Sequence, residues 1–196
     1  MVEWTIYGCR VRVSCLFFAL AAALLTLDRT GSAGFGIAAA LMHETGHLIM
    51  LLLCRQKPSL ICLDAFGVRV EYPAHTRMGY CKSLLVSLSG PAVNLLTAGF
   101  LCLAAPGSRG AAVHLAIGCF NLLPVTGLDG GEALRAGLLL RFSPARVRRV
   151  LTVTSWTGTA LLLAAGAAVW YLTGYNVTLL LLGAYMTFLS LLRRND

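Results

Sequence analysis

The sequence predicts an all-α polytopic membrane protein with about six transmembrane helices and a small membrane-associated β-hairpin. Of its 196 residues, 58% are hydrophobic and 12% are charged, whereas soluble globular domains carry about 25% charged residues. A soluble protein of this length has to cover its surface with polar groups, and this chain has too few of them. The same composition excludes intrinsic disorder, because disordered chains are polar and poor in apolar residues.

The predicted transmembrane helices are apolar runs with few or no charges, of roughly the 20-residue length that crosses a bilayer. In chain order they are residues 13–27, 33–54, 83–105, 110–128 and the two halves of 150–192, which a turn at 173–176 divides. The first run is short and follows two arginines, so a cleaved signal peptide is the alternative to the retained helix that we favour. The whole chain, 1–196, is expected to form a single membrane domain with a C-terminal helical pair at about 150–192.

The lysines and arginines predict the orientation of these helices. Six spans place both termini and the loops 55–82 and 129–149 on one side of the membrane. All of the 16 lysines and arginines except Arg29 and Arg109 lie on that side, and the positive-inside rule makes it the cytoplasmic one. Membrane loops thus explain the net charge of +8, and no nucleic-acid partner is predicted. We expect a multi-pass protein of the cell membrane, with both termini in the cytoplasm and the lipid bilayer as a partner.

Two segments are too polar to span the membrane. Residues 59–72 contain β-branched side chains, alternate in polarity at 68–71 and include Gly67 as a turn signal, which favours a β-hairpin at the membrane surface over a plain loop. Residues 131–150 combine arginines with leucines and are interrupted at Ser143-Pro144. This pattern indicates an amphipathic interfacial helix followed by a turn.

The predicted span 33–54 contains an HExxH motif, formed by His43, Glu44 and His47. Histidines four residues apart lie on one helix face about 6 Å apart along the axis, so both imidazoles can bind one metal ion. Glu44 lies beside such a metal without having to ligate it and can accept a proton from water. Ionisable groups inside a spanning helix indicate function by default. The alternative is a structural polar patch that joins two helices.

A hydrolytic zinc site usually has three protein ligands, so a third is expected. Among the eight acidic residues, only Asp129 and Glu132 stand at the cytoplasmic mouth of another predicted helix. Pro124 and Gly127 break that helix and turn the carboxylate inward, which is tolerated where backbone lines a cavity. Asp129 is the better third ligand, and its alternative role is to cap the following amphipathic helix.

Together these segments resemble the site-2 protease family of intramembrane zinc metalloproteases. The first matches the family's HExxH motif, and the run NLLPVTGLDGG, which starts at Asn121, matches its NxxPxxxxDG pattern. The run GPAVN, which ends at Asn94, is similar to a third family signature, GPxxN. The motifs and their connecting helices cover about residues 33–135, the expected catalytic core.

The resemblance implies a zinc metalloendopeptidase with one zinc ion per chain. It assigns the metal ligands to His43, His47 and Asp129. Glu44 would be the catalytic base, and Asn94 and Asn121 would line the active-site region and contact the substrate backbone. The implied substrate is a membrane protein that is cleaved in or near a transmembrane or membrane-associated segment, as in regulated intramembrane proteolysis.

The predicted hairpin belongs to the same interpretation. The segment around Phe66 and Gly67 resembles the membrane-associated β-hairpin of the family. A helical substrate has its scissile amide tied up in backbone hydrogen bonds and must unwind locally. An edge strand that includes Val68 and Val70 could hold the unwound segment extended by β-addition.

Departures from the family pattern bear on regulation. The interval 48–120 has no room for the PDZ domain that many members carry, so we expect the PDZ-less, sporulation-type branch, here without its CBS domain. That branch implies a bacterial membrane, with an archaeal membrane as the alternative, a role in sporulation and a regulatory membrane protein as a partner. The alternative functions are a metal-ion transporter, which would favour inverted repeats that we do not find, and a non-catalytic membrane adaptor that retains the fold.

Overall fold

The computed structural model describes residues 2–6, 9–15, 22–23, 25–26, 28, 31–56, 60–64, 67–71 and 78–192. Within these ranges the chain is mostly helical and forms two compact units, Met1–Phe120 and Asn121–Asp196. The strands are β1 (Val2–Ile6), β2 (Cys9–Val13), β3 (Leu60–Asp64) and β4 (Gly67–Glu71). The helices are α1 (Ser32–Leu53), α2 (Tyr80–Ala104), α3 (Arg109–Asn121), α4 (Asp129–Leu139), α5 (Pro144–Thr173) and α6 (Thr178–Leu192).

Three of the described helices are long and apolar enough to cross a membrane. They are α1 with 22 residues, α2 with 25 and α5 with 30. Large apolar side chains on these helices are exposed, among them Leu103 on α2, which is 87% exposed, and Leu161 on α5. Soluble proteins rarely expose contiguous apolar surface of this kind, so these helices have the surface of a membrane protein. The described part of the chain thus contains three candidate spans, whereas the sequence predicts six spans in the whole chain.

The remaining predicted spans differ from the described helices in position or length. Most of 13–27 lies outside the described residues, and its first residue, Val13, ends strand β2. The run 110–128 is helical only through Asn121, as the 13-residue α3, which is shorter than the roughly 20 residues of a usual spanning helix. The run 150–192 is divided as predicted, because Gly174 ends α5 with a positive φ of 75°. Helix α5 begins at Pro144, however, earlier than expected, because Ser143 and Pro144 supply a helix start.

The first unit contains a four-stranded sheet of order β1-β2-β3-β4. The predicted hairpin at 59–72 is confirmed as the antiparallel pair of β3 and β4. A second hairpin, β1 with β2, was not predicted from the sequence. In it Glu3 and Arg12 are cross-strand partners joined by a 3.2 Å ion pair. Strands β2 and β3 pair in parallel, which leaves β1 and β4 at the edges of the sheet.

Helices α1 and α2 pack closely in the first unit. A methyl group on Gly46 of α1 would lie 2.8 Å from the carbonyl oxygen of Ser89 and 3.2 Å from the Cα of Gly90, both on α2. Glycine at this position therefore lets the two backbones approach. Lys82 near the start of α2 donates a 3.0 Å hydrogen bond to the Cys54 carbonyl at the end of α1, where a cation favourably meets the helix dipole.

The second unit is helical. Helix α4, the predicted amphipathic helix, ends at Leu139 before the turn at Ser143. Helices α5 and α6 pack through glycine: a methyl group on Gly166 would lie 2.7 Å from the Leu180 nitrogen, and one on Gly183 would lie 2.9 Å from Leu163 Cδ2. Small residues that allow such close approach are typical of helix contacts inside membranes.

Candidate metal centre

His43 and His47 lie next to each other on α1, in the first unit. Their Nε2 atoms are 3.1 Å apart, and the two rings meet edge to face at 79°. Two nitrogens that bind one tetrahedral zinc ion at about 2.0–2.1 Å are roughly 3.3 Å apart. His43 is buried, at 5% exposure, and His47 is half-buried. The pair therefore has the spacing that two ligands of a single metal ion require.

A backbone carbonyl fixes the ring of His47. Its Nδ1 lies 2.7 Å from the carbonyl oxygen of Val86 on α2. Since a carbonyl can only accept, Nδ1 carries the proton and donates it, and Nε2 keeps the lone pair that a metal needs. The Ser89 hydroxyl donates to the same carbonyl at 2.6 Å. The tautomer of His47 is thus already suited to metal binding.

Gly90 of α2 faces both imidazoles. A methyl group on Gly90 would clash with His47 Nε2 and would lie 2.8 Å from His43 Nε2. The space that this methyl group would fill is therefore within reach of both nitrogens, and it exists because residue 90 has no side chain. This space and the imidazole pair fit a bound cation.

Asn94 joins His43 to a third histidine. Its Nδ2 lies 3.2 Å from His43 Nδ1, and its Oδ1 lies 3.0 Å from His114 Nδ1. Asn94 is 0% exposed and His114 is 6% exposed. A methyl group on Gly118 would lie 3.3 Å from the Asn94 Cβ, so α3 packs closely beside this amide. The predicted substrate contact of Asn94 stays a prediction.

His114 is a residue of this network to which the sequence motifs assign no role. It is buried and forms the hydrogen bond to Asn94. The available signal was a lone histidine in an apolar helix, with no motif around it. Burial of a polar ring is costly without a hydrogen-bond partner, so such a histidine indicates a partner, though the sequence does not identify which one.

The other predicted residues of the first unit are only partly described. Glu44 is half-buried on α1, directly after His43. Gly67, Val68 and Val70 belong to the edge strand β4. Phe66 lies outside the described residues.

In the second unit, Asp129 is the first residue of α4. Leu128 occupies the N-cap position, and its side chain makes no capping hydrogen bond, so the alternative role of Asp129 as the N-cap is wrong. Asp129 is half-buried. Asn121, at the end of α3, is half-buried as well, and its predicted substrate contact stays a prediction.

The loop between Asn121 and Asp129 is held against its own unit. Val125 is fully buried, and the Thr126 amide and hydroxyl contact the Ser155 hydroxyl of α5 at 2.8 and 2.7 Å. A methyl group on Gly130 would clash with the Leu122 carbonyl, and one on Gly131 with the Val125 carbonyl. Both glycines after Asp129 are therefore needed for the loop to fold back on the start of α4.

Two imidazoles and one carboxylate are ligand types that can hold a metal ion, and His43, His47 and Asp129 offer them. The resulting set, N, N and O, is typical of catalytic zinc.

The fold is similar to that of a solved site-2 protease. The site-2 protease from Methanocaldococcus jannaschii superposes with a TM-score of 0.66 at 18% sequence identity, over 96% of this chain and 93% of that chain. The sequence matches no family model and no curated protein. At this level of identity the likeness establishes a site-2 protease fold and leaves the chemistry to be argued from the residues.

Proposed function

We propose that the chain is an intramembrane zinc metalloprotease, which hydrolyses a peptide bond in or near the transmembrane segment of a membrane-bound substrate. One observation carries the proposal: the Nε2 atoms of His43 and His47 lie 3.1 Å apart on α1, a helix long and apolar enough to span a membrane. The site-2 protease fold supports it. A transporter or an adaptor would not require Glu44 between the two histidines.

One zinc ion per chain is the proposed cofactor. His43 and His47 would hold it, with the carboxylate of Asp129 as the third ligand. When bound, zinc supplies Lewis-acid activation of water at neutral pH. The space beside Gly90 and the tautomer of His47 support this assignment.

Glu44 is the proposed general base. It follows His43 directly on α1 and is half-buried, so it is partly shielded from bulk water. Its carboxylate would accept the proton of the attacking water and donate it to the leaving amine. Replacement of Glu44 by glutamine should therefore remove proton transfer and leave the metal ligands in place.

The proposed substrate is a membrane protein whose helix unwinds locally before cleavage. Strand β4 is an edge of the sheet, and edge strands present unpaired backbone groups to which an extended peptide can add. Asn94 and Asn121 are the further proposed substrate contacts. A regulatory membrane protein remains a proposed partner.

The proposed location is the cell membrane, with both termini in the cytoplasm. His47 precedes Cys54, the C-cap of α1, by a distance of about 10 Å at 1.5 Å per residue. Lys82 and Arg55 lie at that end of α1, and the positive-inside rule places it on the cytoplasmic side. Water from the cytoplasm can therefore approach the histidine pair.

The test measures zinc content and cleavage in the full chain, purified in detergent and reconstituted with a single-span membrane protein. We expect about one zinc per chain in the wild type and in Glu44→Gln, with cleavage by the wild type only. Asp129→Ala should lose zinc. Glu132→Ala is the matched control, because this carboxylate lies on the same helical turn but pairs with Arg135 at 2.9 Å.

Three results would contradict the proposal. A folded wild-type protein without bound zinc would contradict the proposed metal centre. Zinc that persists in Asp129→Ala would show that Asp129 is not a ligand. Equal cleavage by the wild type and Glu44→Gln would show that Glu44 is not the catalytic base.

A further inference from the structure

We infer that His114 is a positioning residue of the metal site, which acts through the side-chain amide of Asn94 to determine which ring nitrogen of His43 carries the proton. The inference rests on the proposed metal centre and deepens it, since it adds residues that control whether His43 can bind the ion.

Three contacts form one hydrogen-bonded series. It connects the three histidines, which lie on α1 and α3, through Asn94 on α2. His114 Nδ1 is 3.0 Å from Asn94 Oδ1, Asn94 Nδ2 is 3.2 Å from His43 Nδ1, and His43 Nε2 is 3.1 Å from His47 Nε2. The amide between the imidazoles is 0% exposed. Water therefore has no access to Asn94, and the orientation of the Asn94 amide depends on the rings of His43 and His114.

In this orientation the proton of His43 is at the wrong nitrogen for metal binding. An amide NH₂ group can only donate, so Asn94 Nδ2 donates to His43 Nδ1. A neutral imidazole carries a single N–H, which is then at Nε2 and points toward His47. The network is self-consistent, and it keeps the lone pair of His43 away from the metal.

Metal binding requires the reverse arrangement. His43 must present its Nε2 lone pair, so its Nδ1 must carry the proton and donate to an oxygen. A half-turn of the Asn94 amide supplies that oxygen and directs Nδ2 toward His114. His114 Nδ1 must then accept. A neutral imidazole can donate from Nδ1 in one tautomer and accept there in the other, so His114 satisfies the amide in both orientations.

Removal of this hydrogen bond should favour the arrangement that cannot bind metal. If residue 114 is apolar, one end of the Asn94 amide, either Nδ2 or Oδ1, loses the hydrogen-bond partner that His114 provides. A buried N–H without a partner is rarer than an under-satisfied carbonyl oxygen, so Nδ2 should stay on His43 and Oδ1 should lose its partner. The lone pair of His43 then stays on Nδ1, and metal affinity falls.

The test compares cobalt affinity, followed by the visible absorption of bound Co²⁺, in the full chain purified in detergent. His114→Phe keeps an aromatic ring, slightly larger than imidazole, and removes the hydrogen bond, whereas His114→Asn loses volume and supplies an amide that can donate or accept. We expect His114→Phe to weaken Co²⁺ binding by about 10–100-fold, the range for partners of metal ligands. His114→Asn should stay within about tenfold of the wild type, and closer to it than His114→Phe.

A second background separates positioning from packing. The carboxylate of Asn94→Asp, when ionised, only accepts hydrogen bonds, so it fixes His43 with its proton at Nδ1 and its lone pair toward the proposed metal. In that background His114→Phe should change the Co²⁺ affinity by no more than about twofold, since the tautomer no longer depends on residue 114. A structural role of His114 would instead reduce affinity equally in both backgrounds.

The outcomes are distinguishable. Wild-type affinity in His114→Phe, a larger loss in His114→Asn than in His114→Phe, or an equal loss in both Asn94 backgrounds would overturn the positioning role while the metal centre stands. A folded wild type that binds no Co²⁺ would overturn the metal centre and the positioning role together.

Discussion

At Gly90 the backbone of α2 lies directly against the histidine pair. A methyl group there would clash with His47 Nε2 and would lie 2.8 Å from His43 Nε2, where we propose that the metal binds. We therefore expect Gly90→Ala to lower the zinc content to under about a tenth of the wild-type value, because ligation needs the space that the methyl group fills. Zinc per chain is measured on the folded, detergent-purified protein.

Gly99→Ala is the matched control for this prediction. Gly99 lies on the same helix and has no atom within 4 Å of the added methyl group. Alanine in an open helical position is favoured over glycine by about 0.5–1 kcal/mol. Gly99→Ala should keep its zinc and unfold no earlier than the wild type. Normal zinc in Gly90→Ala would mean that the metal lies elsewhere.

At the scale of single residues, the sequence predicts the metal ligands better than it predicts the residues that hydrogen-bond to them. The HExxH spacing depends only on helix geometry, and the structure brings His43 and His47 together as expected. The roles of Asn94 and His114 depend on which helices pack side by side, here α2 and α3. Such contacts leave no periodic pattern in the sequence, so the hydrogen-bonded chain behind His43 could not be predicted.

At the scale of the element, the start of α4 depends on two glycines in sequence. A methyl group on Gly131 would clash with the Val125 carbonyl, whereas Gly137 on the same helix has open space around it. We expect Gly131→Ala to displace the loop and destabilise the protein by about 1–3 kcal/mol, as overpacking does. Gly137→Ala should be neutral or stabilising by up to about 1 kcal/mol.

Thermal unfolding and zinc content of the two variants check this prediction. Because Asp129 directly precedes the two glycines, Gly131→Ala should also lose zinc, while Gly137→Ala should not. Equal stability of both variants would show that the loop adapts to the added methyl group and that the paired glycines have another purpose.

Strand β4 allows a test of β-addition by the substrate, because alternate residues of the strand can be replaced separately. Successive N–H groups of an edge strand point alternately toward the neighbouring strand and away from it. Proline at Val68 and Val70 should therefore remove one set, and proline at Arg69 the other. We expect the outward set to impair cleavage and leave zinc content and stability unchanged, while the inward set destabilises the sheet. Normal cleavage in both sets would exclude β-addition at this edge.

Some elements followed from the sequence and others did not. The hairpin of β3 and β4 was predictable because residues 68–71 alternate in polarity after the turn-favouring Gly67, which is the first residue of β4. Strand β2 was missed because its arginines precede an apolar run and resemble the basic flank of a helix. The loop before α4 is held by Ser155 through Thr126, a contact across 29 residues of chain that local pattern does not reveal.

At the scale of the whole molecule, helix α5 indicates the orientation of its unit in the membrane. Its 30 residues extend about 45 Å, enough to cross a hydrocarbon core of about 30 Å and reach both interfaces. Arginines occupy its first turns, at Arg146, Arg148 and Arg149. Exposed aromatic residues occupy its other end, among them Tyr171, which is 88% exposed. Basic residues favour the cytoplasmic side and aromatic residues favour either interface.

This polarity predicts the labelling of two positions that flank α5. Arg141 precedes the helix and Asn176 follows it, and both are exposed. A membrane-impermeant maleimide added to intact cells should label Asn176→Cys above the unsubstituted chain and should label Arg141→Cys only after permeabilisation. The unsubstituted chain is the required control because free cysteines are already present, Cys102 and Cys119 among them. Labelling of both substitutions from the same side would mean that α5 does not span the membrane, and the reverse pattern would place its basic end outside the cell. Either result would contradict the cytoplasmic orientation given under the proposed function. Neither result would bear on the histidine pair of α1.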